Sequence, residues 1–150
     1  KEQDIKDLIN EFVNKEIILK EEAEQIPVVG LLKYVQSDLW KELKEAKEVH
    51  KEEPFYMFVQ ANRIDETYPK DEKVLVQGII DLYYINKNDE LVLVDYKTDY
   101  VQKGEEQKLI DKYKEQLNLY KEALENSLGR KVDKVLIYST WIGKVECHNI

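Results

Sequence analysis

The order of predicted elements in this 150-residue sequence indicates a mixed α/β fold. Three observations favour it: helical periodicity in the first third, strand-like apolar runs in the middle, and a long helix followed by two short apolar runs. The chain is 43% hydrophobic and 36% charged, a composition typical of a globular domain with charged surfaces. Its length is most simply that of one domain. We therefore expect a single domain over 1–150, with a helical segment at 1–50 and an α/β core at 51–150.

The first third is predicted to be helical, because apolar residues recur there at spacings of three and four. Pro27 and Gly30 interrupt this pattern, and Ser37 followed by Asp38 is a typical start of a helix. The many Glu and Lys residues are interpreted as a solvated face. The predicted helical stretches are Asp4–Ile18, Lys20–Gln25, Leu31–Val35 and Ser37–Lys47.

Three strands are predicted next, two of them as a hairpin. Aliphatic and aromatic runs joined by a turn rich in Asn and Asp are typical of such a hairpin. The expected strands are Phe55–Val59, Val74–Ile85 and Leu91–Tyr96, with a polar loop at Asn62–Lys73.

The last third is predicted to form a long helix and two further strands. An apolar stripe runs from about Glu105 to Ser127, and Gly129 is placed to end this helix as a C-cap. The expected strands are Val132–Thr140 and Lys144–Ile150.

Charge and cysteine content exclude some classes of function. The formal net charge of −8 argues against a domain that binds nucleic acid through its own charge. Cys147 is the single cysteine, so neither an internal disulfide nor a zinc or iron–sulfur site built from cysteines alone is expected. We expect Cys147 to be an ordinary residue of the terminal strand.

The sequence offers no sign of export or membrane insertion. Its start is charged and has no apolar core of a signal peptide, and no apolar run approaches eighteen residues. We expect a cytoplasmic protein without a membrane partner. Since no initiator Met is present, we also expect the chain to be a fragment of a longer one.

The predicted hairpin contains charged residues whose burial is costly. Asp81 lies inside one apolar strand, and Asp95 ends the other, two residues before Lys97. Residues i and i+2 of a strand share a face, so Asp95 and Lys97 point the same way. Unpaired charges are expensive in an apolar setting, and two carboxylates beside an ammonium are a typical Mg²⁺ site for phosphate chemistry. The alternative is a surface salt bridge, because an Asp-x-Lys triplet is by itself a weak motif.

Two neighbouring features favour the functional interpretation. Gly78 lies inside a strand, where glycine is unfavourable and often marks a bulge or a close approach of backbone. Gln116 and Tyr120 lie four residues apart on one helical face and could reach the hairpin. Amphipathic packing is the alternative for both residues, and the pattern favours it more for Tyr120 than for Gln116.

Four segments in order resemble the RecB-type nuclease domain of the PD-(D/E)XK superfamily. The resemblance covers about the last two-thirds of the chain, and it implies a restriction-endonuclease-like core, in which helices flank a central mixed sheet. Each segment alone is weak, whereas the ordered set is specific. The segments are His50-Lys51-Glu52-Glu53-Pro54-Phe55, Gly78-Ile79-Ile80-Asp81-Leu82, Val94-Asp95-Tyr96-Lys97-Thr98-Asp99 and Tyr113-Lys114-Glu115-Gln116-Leu117-Asn118-Leu119-Tyr120.

The resemblance also implies a role for each matched residue. Asp81 and Asp95 would be the acidic ligands of Mg²⁺ or Mn²⁺, together with the backbone carbonyl of Tyr96. Lys97 would position or activate the attacking water.

Further residues would complete or support this site. Gln116 and Tyr120 would support it and contact the DNA strand, and Glu52 would match a carboxylate with either a structural or a functional role. The family has a metal-binding histidine well upstream, but Lys1–Val49 contains none. We expect the sequence to begin after that residue, which would leave the metal site incomplete and the isolated domain weak or inactive. His50 is expected to be a surface residue.

The function implied is a metal-dependent DNA nuclease module of an ATP-dependent helicase–nuclease in double-strand-break repair and recombination. The motor would deliver a single DNA strand, and a second nuclease-bearing subunit would complete a heterodimer. The subclass with an iron–sulfur cluster is excluded by the single cysteine. Two alternatives stay open: an inactive nuclease-like docking or strand-guiding domain, and a stand-alone restriction-type endonuclease.

Overall fold

The computed structural model describes residues 1–150, which divide into two compact units, Lys1–Lys44 and Glu45–Ile150. Four helices form or begin in the first unit, and the sheet and the long helix lie in the second. In chain order the elements are α1 (Glu2–Asn14), α2 (Lys20–Glu24), α3 (Val28–Val35), α4 (Asp38–Glu45), β1 (Glu48–Gln60), α5 (Ala61–Ile64), β2 (Lys73–Ile85), β3 (Leu91–Lys97), α6 (Glu106–Leu128), β4 (Lys134–Ser139) and β5 (Gly143–Glu146).

The predicted helices of the first unit are present, with bounds that differ from the predictions by up to four residues. α1 ends at Asn14 and not at Ile18, and Glu16 just beyond it adopts a left-handed backbone with φ 56°. α3 begins three residues earlier than predicted, because one internal glycine weakens a helix by about 1 kcal/mol without stopping it. The predicted cap of α4 is confirmed: the Trp40 N–H donates to the Ser37 hydroxyl at 3.2 Å.

The second unit is built on one five-stranded mixed sheet in the order β1-β2-β3-β4-β5. Neighbouring strands are antiparallel except for β3 and β4, which are parallel and are connected through α6. A parallel pair needs such a crossover helix. Buried residues of α6 and of the sheet form one core cluster. The predicted mixed α/β fold class is confirmed.

β1 is much longer than predicted and begins at Glu48 instead of Phe55. Its first residues are mainly polar and show no apolar alternation, but they pair with the apolar end of β2. Since β1 is an edge strand, it also accepts Pro54, whose missing N–H would disrupt a central strand. The predicted loop after β1 starts with the short helix α5.

The strands β1 and β2 both change phase at one place. Their pairing is interrupted at Glu52 and Asp81, and Glu52 has a left-handed φ of 52°. Ile80 lies before this point and Tyr83 after it, and both belong to the core. They are three residues apart, and regular alternation would place them on opposite faces of the sheet. Tyr83 pairs with Leu93, so the residues two positions beyond each, Asp81 and Asp95, face the same side. The pairing of Tyr83 with Leu93 therefore places the two acids on one side of the sheet, next to the irregular position of β1 and β2.

Gly78 leaves the room that a neighbouring aromatic ring occupies. A Cβ built on it would lie 2.8 Å from Cε1 and 3.0 Å from Cζ of Phe55, and that ring packs edge-on against Tyr120 with 5.2 Å between centroids. The group that approaches this glycine is therefore a side chain and not the expected backbone.

We expect Gly78→Ala to lower the free energy of unfolding by about 1–3 kcal/mol, because the Phe55 ring must move away from a well-packed position. Urea unfolding of the metal-free domain measures this change. Gly30→Ala is the matched control: its nearest contact would be Pro27 Cβ at an ordinary 3.6 Å, and it should leave stability unchanged or slightly raised. Equal behaviour of the two variants would contradict the packing account.

The end of the chain is less regular than predicted. β5 stops at Glu146, so Cys147 follows the strand and does not lie in it. Its thiol is buried, and this burial raises the pKa of Cys147 to about 11. The thiol therefore stays protonated at neutral pH and is a poor nucleophile. None of the helices has both the length and the apolar character needed to cross a membrane.

Candidate active site

The two predicted carboxylates meet where β2 and β3 separate. The ladder between these strands ends at the pair of Leu82 with Val94, and the next position would place Asp81 opposite Asp95. There the Asp81 side chain forms the next hydrogen bond between the two strands: its Oδ2 accepts the backbone N–H of Tyr96 at 2.9 Å. A side chain thus replaces a strand partner and holds its carboxylate beside Asp95.

Asp95 is buried in surroundings that disfavour the charged form of its carboxyl group. Its side chain is almost entirely covered, with 3% of the residue exposed. Burial is the main cause that raises the pKa of Asp95 to about 6, and the nearby Asp81 raises it further, whereas Lys97 lowers it. Two neighbouring carboxylates that are shielded from solvent favour either a shared proton or a bound cation.

Lys97 is held by three different groups. Its Nζ lies 2.8 Å from Asp95 Oδ2, donates to Gln116 Oε1 at 2.9 Å and sits 3.9 Å from the centroid of the Tyr113 ring. The ammonium is largely buried. The alternative of a surface salt bridge is therefore wrong, because both partners are shielded from water.

The two predicted helix residues do reach the hairpin. Gln116 accepts from Lys97 and donates through Nε2 to the Tyr120 hydroxyl at 3.0 Å. Burial, followed by the charge of Asp95, raises the pKa of Tyr120, so its hydroxyl keeps its proton. The structure thus brings Asp81, Asp95, Lys97, Gln116 and Tyr120 into one connected group.

Tyr113 belongs to this group although the sequence pattern assigned it no role. Its ring lies under the Lys97 ammonium, and its hydroxyl donates to Asp99 at 2.7 Å. Lys112 also binds Asp99, and both contacts lower the pKa of that carboxyl. The signal was present in the spacing: Tyr113 lies three residues before Gln116 on the same helical face.

We expect Tyr113→Leu to slow the DNA cleavage that the family resemblance implies roughly 3- to 10-fold, because Lys97 loses the aromatic face that positions it. Tyr113→Phe keeps the ring and removes only the hydroxyl bond to Asp99, so it should change the rate less than about 2-fold. Single-turnover cleavage rates measure both. If the two variants slowed cleavage equally, the ring would not be the positioning element.

The side chains of His50 and Glu52 form no hydrogen bond or ion pair with the connected group, although Glu52 lies opposite Asp81 in the sheet. His50 stacks on Tyr83 with 4.5 Å between ring centroids and lies 3.2 Å from a Glu48 oxygen. Glu52 is an exposed residue at the irregular position of β1. The role of Glu52 therefore stays a prediction.

The side chains present fit part of a divalent metal site. Asp81 and Asp95 supply hard oxygen atoms of the kind that Mg²⁺ prefers, and their mutual repulsion would be relieved by a cation. The Tyr96 carbonyl is the third expected oxygen. Nowhere in the chain do three or more His, Cys, Asp and Glu side chains form a cluster that could hold a metal ion. Two carboxylates are nevertheless sufficient for Mg²⁺, which keeps several waters and needs few protein ligands.

The family model of the PD-(D/E)XK nuclease superfamily matches residues 1–142. Among solved structures, one described as "Crystal structure of SSO0001" has a TM-score of 0.47 and 15% identity over 92% of this chain and 60% of its own, a likeness too weak to support a conclusion.

Several curated proteins, each named as a subunit of an ATP-dependent helicase/nuclease, are much more similar in sequence. The one from Clostridium kluyveri is 39% identical over 140 residues, which is 91% of this chain and 11% of that protein. Those from Clostridium perfringens and a Thermoanaerobacter species are 38% and 35% identical over 94% of this chain and 12% of their own length. The chain thus spans about a tenth of these relatives. The expected resemblance is confirmed, since the relatives carry the name of AddA-type helicase/nuclease subunits, and the chain belongs to the PD-(D/E)XK nuclease superfamily.

Proposed function

We propose that this domain hydrolyses DNA phosphodiester bonds with the help of Mg²⁺ or Mn²⁺. The observation that carries the proposal is the buried Asp95–Lys97 pair, 2.8 Å apart, with the carboxylate of Asp81 on the same side of the sheet. A purely structural domain gains little from such a group, since apolar residues of similar volume are often as stable or more stable there.

Each residue of the site has a proposed role that follows from its position. Asp81, Asp95 and the Tyr96 carbonyl would hold the cation, which when bound supplies positive charge that acidifies water and stabilises the phosphate under attack. Lys97 would orient the attacking water and share the charge that develops on the phosphate. Gln116 and Tyr120 keep the ammonium in place and would contact the DNA strand.

The names of the relatives support a wider proposal. We infer that the domain is the nuclease module of an ATP-dependent helicase–nuclease that acts in double-strand-break repair and recombination in the cytoplasm. A motor that delivers single-stranded DNA would explain how an acidic domain with a net charge of −8 obtains its substrate. A partner nuclease subunit of the AddB type would complete the assembly.

The second candidate is an inactive docking or strand-guiding domain of the same assembly. The absence of a larger cluster of metal ligands favours it. The retained lysine favours the nuclease, because strand guiding needs no buried ammonium next to two carboxylates.

Cleavage of single-stranded DNA by the intact subunit that contains this domain tests the proposal. We expect cleavage with Mg²⁺ or Mn²⁺, complete loss in EDTA and recovery on adding excess metal. Calorimetric titration of the domain with Mg²⁺ separates metal binding from turnover. Cleavage that persists in EDTA would refute the metal dependence, and neither binding nor cleavage would support the docking domain.

A further inference from the structure

Two large aromatic side chains near the candidate active site are exposed to solvent. Tyr100 is 66% exposed and Trp141 is 55% exposed, and their rings meet edge to face with 4.8 Å between centroids and an interplanar angle of 84°. Trp and Tyr are costly to leave in water, and an exposed pair is a common mark of a binding surface.

The pair is attached to the same backbone that holds Lys97. The strands β3 and β4 end together at Lys97 and Ser139, and the Thr140 N–H donates to the Lys97 carbonyl at 3.0 Å. The Trp141 indole N–H donates to the carbonyl of Thr98, the next residue after Lys97, at 3.1 Å. The aromatic pair is therefore a fixed extension of the active-site strands.

Further hydrogen bonds hold the two rings in place. The buried Ser139 hydroxyl accepts the Trp141 N–H at 3.1 Å and the Ile142 N–H at 3.2 Å, and Gln102 Nε2 donates to the Tyr100 hydroxyl at 3.1 Å. Rings that are ordered before binding lose little entropy when a ligand stacks on them.

We propose that Tyr100 and Trp141 form a stacking platform for the bases of single-stranded DNA next to the bond that is cut. This inference rests on the proposed nuclease function and names how its substrate is held. Three residues of chain span at most about 10 Å, and a stacked strand advances about 3.4 Å per nucleotide. The backbone of Tyr100 therefore lies within about 10 Å of that of Lys97, which places the platform a few nucleotides from the scissile phosphate.

The charge of the domain favours bases over phosphates as the contact. A net charge of −8 leaves little attraction for the DNA backbone, whereas stacking on aromatic rings is independent of charge and of sequence. Every base has an aromatic face, so the platform suits an enzyme that degrades DNA of any sequence.

Binding is tested with the fluorescence of Trp141 itself. The chain has two tryptophans, so Trp40→Phe leaves Trp141 as the only one, and Lys97→Met in the same chain prevents cutting. With Mg²⁺ present, a 5′-labelled oligothymidylate should quench Trp141, while an abasic oligomer of equal length should not. The anisotropy of the label reports binding separately. Bound oligothymidylate without quenching of Trp141 would overturn the proposal, and so would absence of binding at concentrations that saturate cleavage.

Kinetics provide a second, independent test. Trp141→Ala and Tyr100→Ala should each raise KM for single-stranded DNA roughly 5- to 100-fold, as the loss of a base–aromatic contact does, and change kcat less than about 3-fold. Tyr56→Ala is the matched control, because Tyr56 is 69% exposed on β1 and lies outside the platform. Unchanged KM in both platform variants would overturn the proposal. A wild type that cuts no DNA would refute the nuclease function, while the fluorescence experiment would still decide whether bases bind.

Discussion

Replacing Asp95 with Asn should abolish cleavage and metal binding, with a loss of activity on the order of 10³-fold. The amide has the size of the carboxyl group but supplies no negative charge to a cation. Cleavage assays and calorimetric titration with Mg²⁺ measure the two losses. Asp99→Asn is the matched control, since Asp99 binds Lys112 and Tyr113 but not Lys97, and it should retain most activity.

The stability of Asp95→Asn relative to that of the wild type should rise with pH when metal is absent. Burial raises the pKa of Asp95 to about 6 from an ordinary 3.8. Between these values the folded state holds a proton that the unfolded state has released, so the free energy of unfolding falls as the pH rises through this window and stays low above pH 6.

The free energy of unfolding of Asp95→Asn, taken relative to that of the wild type, should therefore rise by about 1–3 kcal/mol between pH 4 and pH 8. Urea unfolding in EDTA at the two pH values measures the difference. Added Mg²⁺ should stabilise only the wild type at pH 8, since the metal binds the ionised acid. A stability difference between the two proteins that stays constant from pH 4 to pH 8 in EDTA would contradict a raised pKa for Asp95.

Replacing Lys97 with Met should separate chemistry from metal binding. Loss of the ammonium should lower kcat about 10²- to 10⁴-fold, because the reacting water and phosphate lose their positioned cation. Mg²⁺ affinity should be equal or higher, since Nζ at 2.8 Å from Asp95 no longer competes for that carboxylate. Lys112→Met is the control: this exposed lysine lies 5.2 Å from the same Tyr113 ring and should be dispensable.

Two results would contradict this assignment of Lys97. Retained cleavage in Lys97→Met would mean that the lysine is not needed for the reaction. Loss of Mg²⁺ binding in a variant that still folds would mean that the lysine mainly maintains the metal ligands. Circular dichroism in Mg²⁺ checks folding, because removing one member of a buried ion pair is itself destabilising.

Most residues of the candidate site could be selected from the sequence because they depart from the apolar pattern around them. Asp81 and Asp95 stand out as charges in apolar strands, and Gln116 and Tyr120 keep helical spacing. What the pattern did not contain was the position of each atom. That Lys97 binds Gln116 depends on how α6 crosses the sheet, and no spacing along the chain specifies this crossing.

The fold was predictable wherever apolar periodicity was strong. The bounds of α6 and of the β2–β3 hairpin differ from the predictions by one residue at each end at most. The start of β1 was missed because its polar residues gain their order from pairing with β2, a tertiary effect that outweighs local preference. The phase change at Glu52 and Asp81 was missed for the same reason, since no glycine marks the left-handed residue.

The hydrogen bond from the Tyr96 amide to Asp81 makes the backbone itself a sensor of the site. An amide proton resonance depends strongly on the charge and distance of its acceptor, and here the acceptor is a proposed metal ligand. Titration with Mg²⁺ followed by amide NMR would therefore show occupancy at one assigned peak, without any substrate. The protection of that amide from solvent exchange would, in the same spectra, report how firmly Asp81 holds the ends of β2 and β3 together.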